Sequence, residues 1–136
     1  MIKVLLADDH ALLRGSLKQL LDDTGFVQVV AQAGEYSEIM KAMTCHTIDL
    51  AILDISMPGK NGVDIVKILK DKYPALKILM LSMHPEDQYA VRCLKAGASG
   101  YLTKNTAPEK LVDAIQVIAA GRKYITPEMA ESLASH

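Results

Sequence analysis

The sequence lacks the features of membrane, secreted and disulfide-stabilised proteins. No apolar run approaches the roughly 20 residues that a membrane-spanning helix requires. The chain enters a strand pattern directly after Met1, without the charged and then apolar segment of a secretory signal. Its two cysteines, Cys45 and Cys93, lack the spacing of a disulfide framework. We therefore expect a soluble, cytoplasmic protein in which both cysteines are packing residues on helices.

The chain also lacks a surplus of charge of either sign. It carries 15 basic and 16 acidic residues and a net charge of −1, which does not indicate a basic nucleic-acid surface. Half of its 136 residues are hydrophobic, which excludes a disordered chain and favours one compact domain. We expect no membrane contact and no direct DNA binding by this domain.

Five short apolar runs alternate with segments whose apolar residues recur at helical spacing. The run at residues 50–53 is unbroken, as in a parallel strand buried between two layers of helices. The strand-like runs cover residues 2–7, 27–33, 50–53, 77–81 and 99–102. Crossovers between such strands are right-handed. The pattern predicts an α/β fold: a flavodoxin-like, doubly wound, five-stranded parallel sheet of order 2-1-3-4-5 with helices on both faces.

Three details of the helices follow from the same pattern. Leucines at helical spacing predict a first helix with one buried face, formed by Leu13, Leu17, Leu20 and Leu21. Ser37 is expected to cap the second helix. Thr126 and Pro127 are expected to begin a last short helix.

Polar residues stand where four of the five strands end. Asp8 and Asp9 follow the first strand, Asp54 the third, Ser82 the fourth and Lys104 the fifth. Open α/β sheets place their sites at the carboxyl ends of the strands, so we expect these side chains to converge. Three carboxylates this close repel one another unless a hard divalent cation or an ammonium group lies beside them. Mg²⁺ held by carboxylates together with a phosphate would make this a site for phosphoryl chemistry.

These residues resemble the receiver domain of two-component response regulators, from Lys3 to about Ala120. Nineteen positions separate Ser82 from Tyr101 and three more lead to Lys104, which is the family's spacing. Three motifs resemble in particular the NarL/FixJ branch. The motifs are Ala7-Asp8-Asp9-His10, Asp54-Ile55-Ser56-Met57-Pro58 and Gly97-Ala98-Ser99-Gly100-Tyr101-Leu102-Thr103-Lys104. Members of this branch carry a LuxR-type helix-turn-helix domain after the receiver.

The resemblance implies a phosphoacceptor and a metal site. Asp54 would accept the phosphoryl group. Mg²⁺, with Mn²⁺ as a substitute, would be bound by Asp8, Asp9, Asp54 and the backbone carbonyl of Ser56. His10, beside the acid pair, is expected to be a surface histidine in the first turn of the first helix.

The resemblance also implies a catalytic lysine and a two-residue switch. Lys104 and Ser82 would stabilise the transferring phosphoryl group. Ser82 would then be drawn towards the phosphate and leave space for Tyr101 to move inward. Several positions depart from common receiver patterns. Bulky Met83 predicts slow phosphorylation by small donors such as acetyl phosphate and slow hydrolysis, and Asn105, in place of a proline, puts a cis bond after Lys104 in doubt. The side chains of Ser56 and His84 are expected to tune the lifetime of the phosphate.

The implied biological role is that of a signalling switch. Residues 1–121 would form the receiver, and residues 122–136 would start a linker towards an output domain absent from the sequence. A sensor histidine kinase would donate the phosphoryl group, phosphorylation would favour a homodimer, and DNA would be bound only through the output domain. The protein would be no enzyme apart from catalysing its own phosphorylation and dephosphorylation.

Two alternatives stay open at this point. An aspartyl phosphatase would usually carry a second acid two residues after the nucleophile, where this chain has Ser56. A flavin or dinucleotide binder would need a glycine-rich phosphate loop where the chain has Asp8 and Asp9, which repel a bare phosphate. Ligand binding without Mg²⁺ would favour either alternative.

Overall fold

The computed structural model describes residues 1–54, 60–82, 88–104 and 108–135. The strands are β1 (Ile2–Ala7), β2 (Val27–Ala33), β3 (Leu50–Asp54), β4 (Lys77–Ser82) and β5 (Gly100–Thr103). The helices are α1 (Ala11–Asp22), α2 (Tyr36–Cys45), α3 (Gly62–Lys72), α4 (Gln88–Ala96), α5 (Pro108–Ala119) and α6 (Pro127–Ser135).

The five strands form one parallel sheet in the order β2-β1-β3-β4-β5. The predicted fold class and strand order are therefore confirmed. All five residues of β3 are buried because the strand has a neighbour on each side and helices on both faces. This burial explains why the sequence of β3 is a continuous apolar run rather than an alternating one.

The sheet separates two hydrophobic cores. Successive residues of β1 face opposite sides, so that Leu5 belongs to one core and Leu6 to the other. The core on the side of Leu5 contains side chains of α2, α3 and α4, among them Ile39, Leu69 and Leu94. The core on the side of Leu6 contains side chains of α1 and α5, among them Leu21 and Ile115. The domain is thus doubly wound, with helices on both faces.

The apolar face of α1 is covered less completely than expected. Leu21 is its only fully buried residue, while Leu13, Leu17 and Leu20 are partly exposed. These three leucines line a groove of about 370 Å³ between α1 and α5, whose other wall includes Leu111. The spacing of the leucines identified the correct face, but it carried no information on how closely α5 approaches.

Two local predictions were wrong. The second helix begins at Tyr36 and is preceded by Glu35, so Ser37 lies inside its first turn. The hydroxyl of Ser37 donates to the Glu35 carboxylate at 2.5 Å and does not cap the helix. Cys93 is buried as expected, but Cys45 is exposed because it is the last residue of α2, where the chain turns away from the core.

The residues that follow α5 pack against the rest of the domain. Tyr124 pairs with Gly100 of β5 in a parallel bridge, and its N–H donates to the carbonyl of Ser99 at 2.9 Å. The predicted last helix is confirmed as α6, where the Thr126 hydroxyl accepts a hydrogen bond from the N–H of Met129 at 3.2 Å. Met129 is 2% exposed and belongs to the core beneath α4. The boundary after residue 121 remains a prediction.

Within the described part of the chain, every helix is too short or too polar to cross a lipid bilayer.

Candidate functional site: an acidic cluster with one buried lysine

Parallel pairing brings the ends of the strands to one edge of the sheet. Ala7 of β1 pairs with Leu53 of β3, and Asp54 pairs with Leu81 of β4. The next pairing joins Ser82 to Thr103 of β5. The residue that ends or follows each of these strands therefore emerges at the same edge, as the sequence predicted.

Asp8 is fixed at this edge by both its backbone and its side chain. Its N–H donates to the carbonyl of Ala33 at 2.9 Å, which extends the pairing of β1 with β2. Arg14 of α1 donates a guanidinium N–H to the carbonyl of Asp8. The side chain is 1% exposed, and its Oδ1 accepts a hydrogen bond from the N–H of His10 at 2.8 Å. The carboxylate of Asp8 therefore points into the cluster rather than into solvent.

Lys104 connects the ends of three strands. Its backbone N–H donates to the carbonyl of Ser82 at 2.7 Å, which ties the end of β5 to the end of β4. Its ammonium Nζ lies 2.8 Å from Oδ2 of Asp54 and 2.9 Å from Oδ2 of Asp8. The Lys104 side chain is only 4% exposed. One buried cation thus stands between the carboxylates of β1 and β3.

The charges of Asp8 and Lys104 stabilise one another. Burial raises the pKa of Asp8, but hydrogen bonds from His10 and the ammonium of Lys104 outweigh burial and leave that pKa below its usual value. Burial lowers the pKa of Lys104, but the carboxylates of Asp54 and Asp8 outweigh it and leave that pKa above its usual value. Both groups therefore stay charged over the whole physiological range of pH.

His10 is exposed, as expected, but it is also part of the cluster. Its Nδ1 lies 2.9 Å from Oδ1 of Asp8, 3.1 Å from Oδ1 of Asp9 and 3.4 Å from Nζ of Lys104. Sequence reasoning assigned His10 to the surface and missed these contacts. Its position directly after the acid pair was the available signal.

The residues of the cluster fit a divalent cation. Ligand atoms of four side chains lie within 4.8 Å of one another: those of Asp8, Asp9, His10 and Asp54. Oδ2 of buried Asp8 accepts no hydrogen bond from the described residues, although Lys104 lies within ion-pair distance. Carboxylate oxygens are the ligands that Mg²⁺ prefers. The three carboxylates of this set favour a hard cation, and the imidazole of His10 adds one nitrogen.

The structure brings most of the predicted site residues together. Asp8, Asp9, Asp54 and Lys104 form the cluster, and Ser82 is fully buried at the same edge. Ser56, Met83, His84 and Asn105 lie outside the described residues, and so does the peptide bond that follows Lys104.

Tyr101 lies in β5, two strand positions before the end, and its side chain is 1% exposed. It is among the largest fully buried side chains of the described chain. The ring therefore lies inside the domain.

Comparisons with known proteins agree with this geometry. A family model for the response regulator receiver domain matches residues 4–116. Response regulator GacA of Pseudomonas syringae pv. syringae (strain B728a) is 37% identical over 134 residues, which cover 98% of this chain and 63% of GacA. Response regulator UvrY of Escherichia coli (strain K12) is 34% identical over 134 residues, which cover 98% of this chain and 62% of UvrY.

A solved structure extends the likeness to three dimensions. The crystal structure of a LuxR-family two-component response regulator from Aurantimonas sp. SI85-9A1 matches with a TM-score of 0.88 and 32% identity, covering 98% of this chain and 95% of that chain. The chain spans just over three fifths of the length of GacA and UvrY. From the receiver-domain match over most of its length and from the acidic edge described above, we conclude that the chain belongs to the response regulator receiver domain family.

Proposed function

We propose that Asp54 accepts a phosphoryl group from the phosphohistidine of a sensor kinase, and that the domain acts as a phosphorylation-controlled switch. The observation that carries this proposal is the double contact of Lys104, 2.8 Å from Asp54 and 2.9 Å from Asp8. That contact supports a site in which an ammonium group stands beside the attacking carboxylate.

The transfer itself needs little covalent assistance. A carboxylate oxygen of Asp54 forms a bond to phosphorus as the bond from phosphorus to the histidine nitrogen breaks, and the electron pair of that bond remains on the nitrogen. Charge spreads over the equatorial phosphoryl oxygens in the loose transition state. Lys104 and the hydroxyl of Ser82 stand at the strand ends where they would stabilise that charge.

Asp8, Asp9, Asp54 and the carbonyl of Ser56 would hold Mg²⁺, with Mn²⁺ as a substitute. When bound, the cation would neutralise negative charge on the phosphoryl oxygens. Asp8 and Asp54 are positioned for this by Lys104 and His10, and Asp9 is open to solvent. Asp8 and Asp9 also disfavour a flavin or dinucleotide phosphate at this turn, because they would repel it.

We infer that Ser82 and Tyr101 form the switch. Phosphate on Asp54 would attract the Ser82 hydroxyl and so favour the form in which Tyr101 lies inside the domain. Tyr101 is buried here, so the inward position is one that the domain can adopt without phosphate, and phosphate would shift the population towards it. A phosphate can bias such an equilibrium only by its differential contacts with the two forms.

The domain would catalyse only its own phosphorylation and dephosphorylation. A phosphatase acting on other substrates is the second candidate, and the acidic cluster with its lysine favours it in part. Ser56 stands where such an enzyme usually carries its acid-base aspartate, so turnover should be slow.

In the whole protein, residues 1–121 would be the receiver and residues 122–136 the start of a linker. GacA and UvrY extend well beyond the matched region, which leaves room for a DNA-binding output domain in such proteins. The histidine kinase, a homodimer formed on phosphorylation and DNA bound through the output domain are the partners that this arrangement implies. The whole protein would then regulate transcription.

Intact mass spectrometry after exposure to acetyl phosphate, with and without Mg²⁺, tests the phosphoacceptor. The chain should gain the mass of one phosphoryl group only with Mg²⁺, and Asp54→Asn should gain none. Asp49→Asn is a matched control, because Asp49 precedes the same strand but lies at its opposite end, where it accepts a hydrogen bond from the N–H of Lys3. A mass gain that survives Asp54→Asn would overturn the assignment.

A further inference from the structure

His10 places a nitrogen ligand inside a cluster of oxygen ligands. It directly precedes α1, yet its side chain makes no capping hydrogen bond to that helix. Its backbone N–H is held by Oδ1 of Asp8 at 2.8 Å, so the ring stays above the acid pair. The ring is 63% exposed, and Nδ1 faces the carboxylates of Asp8 and Asp9. Polar contacts of Nδ1 with these carboxylates, and not helix capping, hold the ring in this place.

The buried carboxylate beside His10 already attracts one cation. Oδ2 of Asp8 accepts no hydrogen bond from the described residues and lies 2.9 Å from the ammonium of Lys104. The potential ligand atoms of Asp8, Asp9, Asp54 and His10 lie within 4.8 Å of one another, so one ion could contact all four groups. Three of these groups offer oxygen and one offers nitrogen.

The two kinds of ligand do not serve all cations equally. Mg²⁺ is a hard ion that takes oxygen ligands and keeps several waters. Ni²⁺ and Co²⁺ bind imidazole nitrogen well and bind mixed nitrogen and oxygen sites more tightly than Mn²⁺ does. A fourth ligand from His10 should therefore benefit the later first-row ions far more than it benefits Mg²⁺.

We propose that His10 is a metal ligand through Nδ1 and sets the metal preference of the acidic cluster in favour of late first-row divalent ions. This inference rests on the metal site of the proposed function. His10 acts on selectivity because the other contributions are common to all divalent ions. The Coulomb repulsion from the ammonium of Lys104 and the Coulomb attraction to the three carboxylates depend on charge and are common to doubly charged ions, whereas the imidazole favours the late first-row ions.

Calorimetric titrations with Mg²⁺ and with Ni²⁺, each added alone to the full 136-residue chain, test the proposal. His10→Ala should lower the ratio of Ni²⁺ affinity to Mg²⁺ affinity at least about tenfold. Loss of a residue that only supports a metal ligand already lowers metal affinity about tenfold or more, and loss of a ligand should cost no less. His10→Gln should lower the same ratio while keeping a polar side chain. His46→Ala is the matched control, since it removes an exposed histidine that is not part of the cluster.

A spectroscopic measurement makes the test independent of affinities. Paramagnetic Ni²⁺ should broaden the imidazole resonances of His10 at low stoichiometry, before those of His46. An unchanged Ni²⁺ to Mg²⁺ ratio in both His10 variants, or broadening of His46 first, would overturn the role of His10.

The outcomes separate this inference from the proposed function. If the unmodified chain binds no Mg²⁺, the metal site of the proposed function fails and this inference fails with it. If the chain binds both ions and His10→Ala leaves their ratio unchanged, only the role of His10 is lost. Asp9→Asn should weaken both ions, because it removes an oxygen ligand that they share.

Discussion

The carbonyl oxygen of Tyr124 lies 2.9 Å from the point where a side chain at Gly100 would place its Cβ. Two methyl groups close the same space, Cδ1 of Ile118 at 3.0 Å and Cδ1 of Leu79 at 3.2 Å. Gly100 pairs with Tyr124 and directly precedes Tyr101 in β5. The absence of a side chain at residue 100 thus allows the segment after α5 to join the sheet.

Gly100→Ala should therefore destabilise the domain by about 1–3 kcal/mol, as overpacking generally does. The backbone of Tyr124 cannot yield as a flexible side chain would, so the segment after α5 should loosen. Gly15→Ala is the control: Gly15 lies in α1 with nothing within 4 Å of an added Cβ, and the change should stabilise by about 0.5–1 kcal/mol. Urea unfolding of the two variants should shift in opposite directions.

Met129→Ala should detach α6 from the domain. Met129 is 2% exposed, and truncating a buried methionine costs about 2–5 kcal/mol when the surroundings do not collapse. A terminal helix can open locally, so faster hydrogen exchange of the α6 amides should be the clearest signal. Ala130→Ser changes an exposed position of the same helix, so its α6 amides should exchange much more slowly than those of Met129→Ala. Equal exchange in the two variants would contradict a role for the Met129 contact.

Lys104→Met should destabilise the domain by roughly 3 kcal/mol at neutral pH, the lower end of the cost when a buried ion pair loses one partner. The loss arises because Asp8 and Asp54 remain close together and buried without a cation. The pKa of Lys104 is raised in the folded chain, so its contribution is complete below the unfolded value of 10.5 and is lost only as pH rises through the higher folded pKa. Lys110→Met, an exposed position on α5, should have little effect.

Mg²⁺ should restore part of the stability that Lys104→Met removes. A divalent ion bound at the acidic cluster can neutralise the carboxylates in place of the ammonium, and an ion that binds only the folded chain stabilises it by mass action. Thermal unfolding with and without Mg²⁺ measures the effect. A smaller Mg²⁺-induced shift in Lys104→Met than in the unmodified chain would argue against a cation at these carboxylates.

Acid should weaken the domain through Asp8. The pKa of Asp8 is lowered by folding, so its ionised form contributes stability that is complete above the unfolded value of 3.8 and is lost as pH falls through the lower folded pKa. The difference in unfolding free energy between the unmodified chain and Asp8→Asn should stay constant at neutral and mildly acidic pH. It should then move in favour of Asp8→Asn once the pH falls below 3.8. If the difference in unfolding free energy is the same at every pH, the pKa of Asp8 is the same in the folded and unfolded chains, which would contradict this prediction.

The strands and their order could be predicted because the strands are short and mainly apolar, and polar residues stand at the ends of four of the five. The gathering of Asp8, Asp54 and Lys104 follows from that order, since parallel strands end at the same edge. The double contact of Lys104 could not be predicted, because it depends on a side-chain conformation fixed by distant residues. The contacts of His10 were missed for a related reason: they result from the backbone turn after Asp9, which composition does not encode.

The errors in the helices also have physical causes. Ser37 has a favourable capping side chain, but the residue that precedes α2 is Glu35, two positions earlier, which has extended backbone angles. Cys45 lies on an amphipathic helix, but it is the final residue and faces outward. The pairing of Tyr124 with Gly100 could not be predicted either, because a glycine in a strand does not by itself reveal its neighbour.

The sheet divides the apolar interior into two compartments with separate membership. Leu69 of α3 belongs to one core and Ile115 of α5 to the other. Substitutions at sites that share no neighbours usually sum to within about 0.5 kcal/mol, so Leu69→Ala and Ile115→Ala should be additive in the double variant. Urea unfolding of the single and double variants measures this, and a larger departure would reveal energetic coupling through the strands. If the sum holds, each half of the interior can be redesigned without reference to the other.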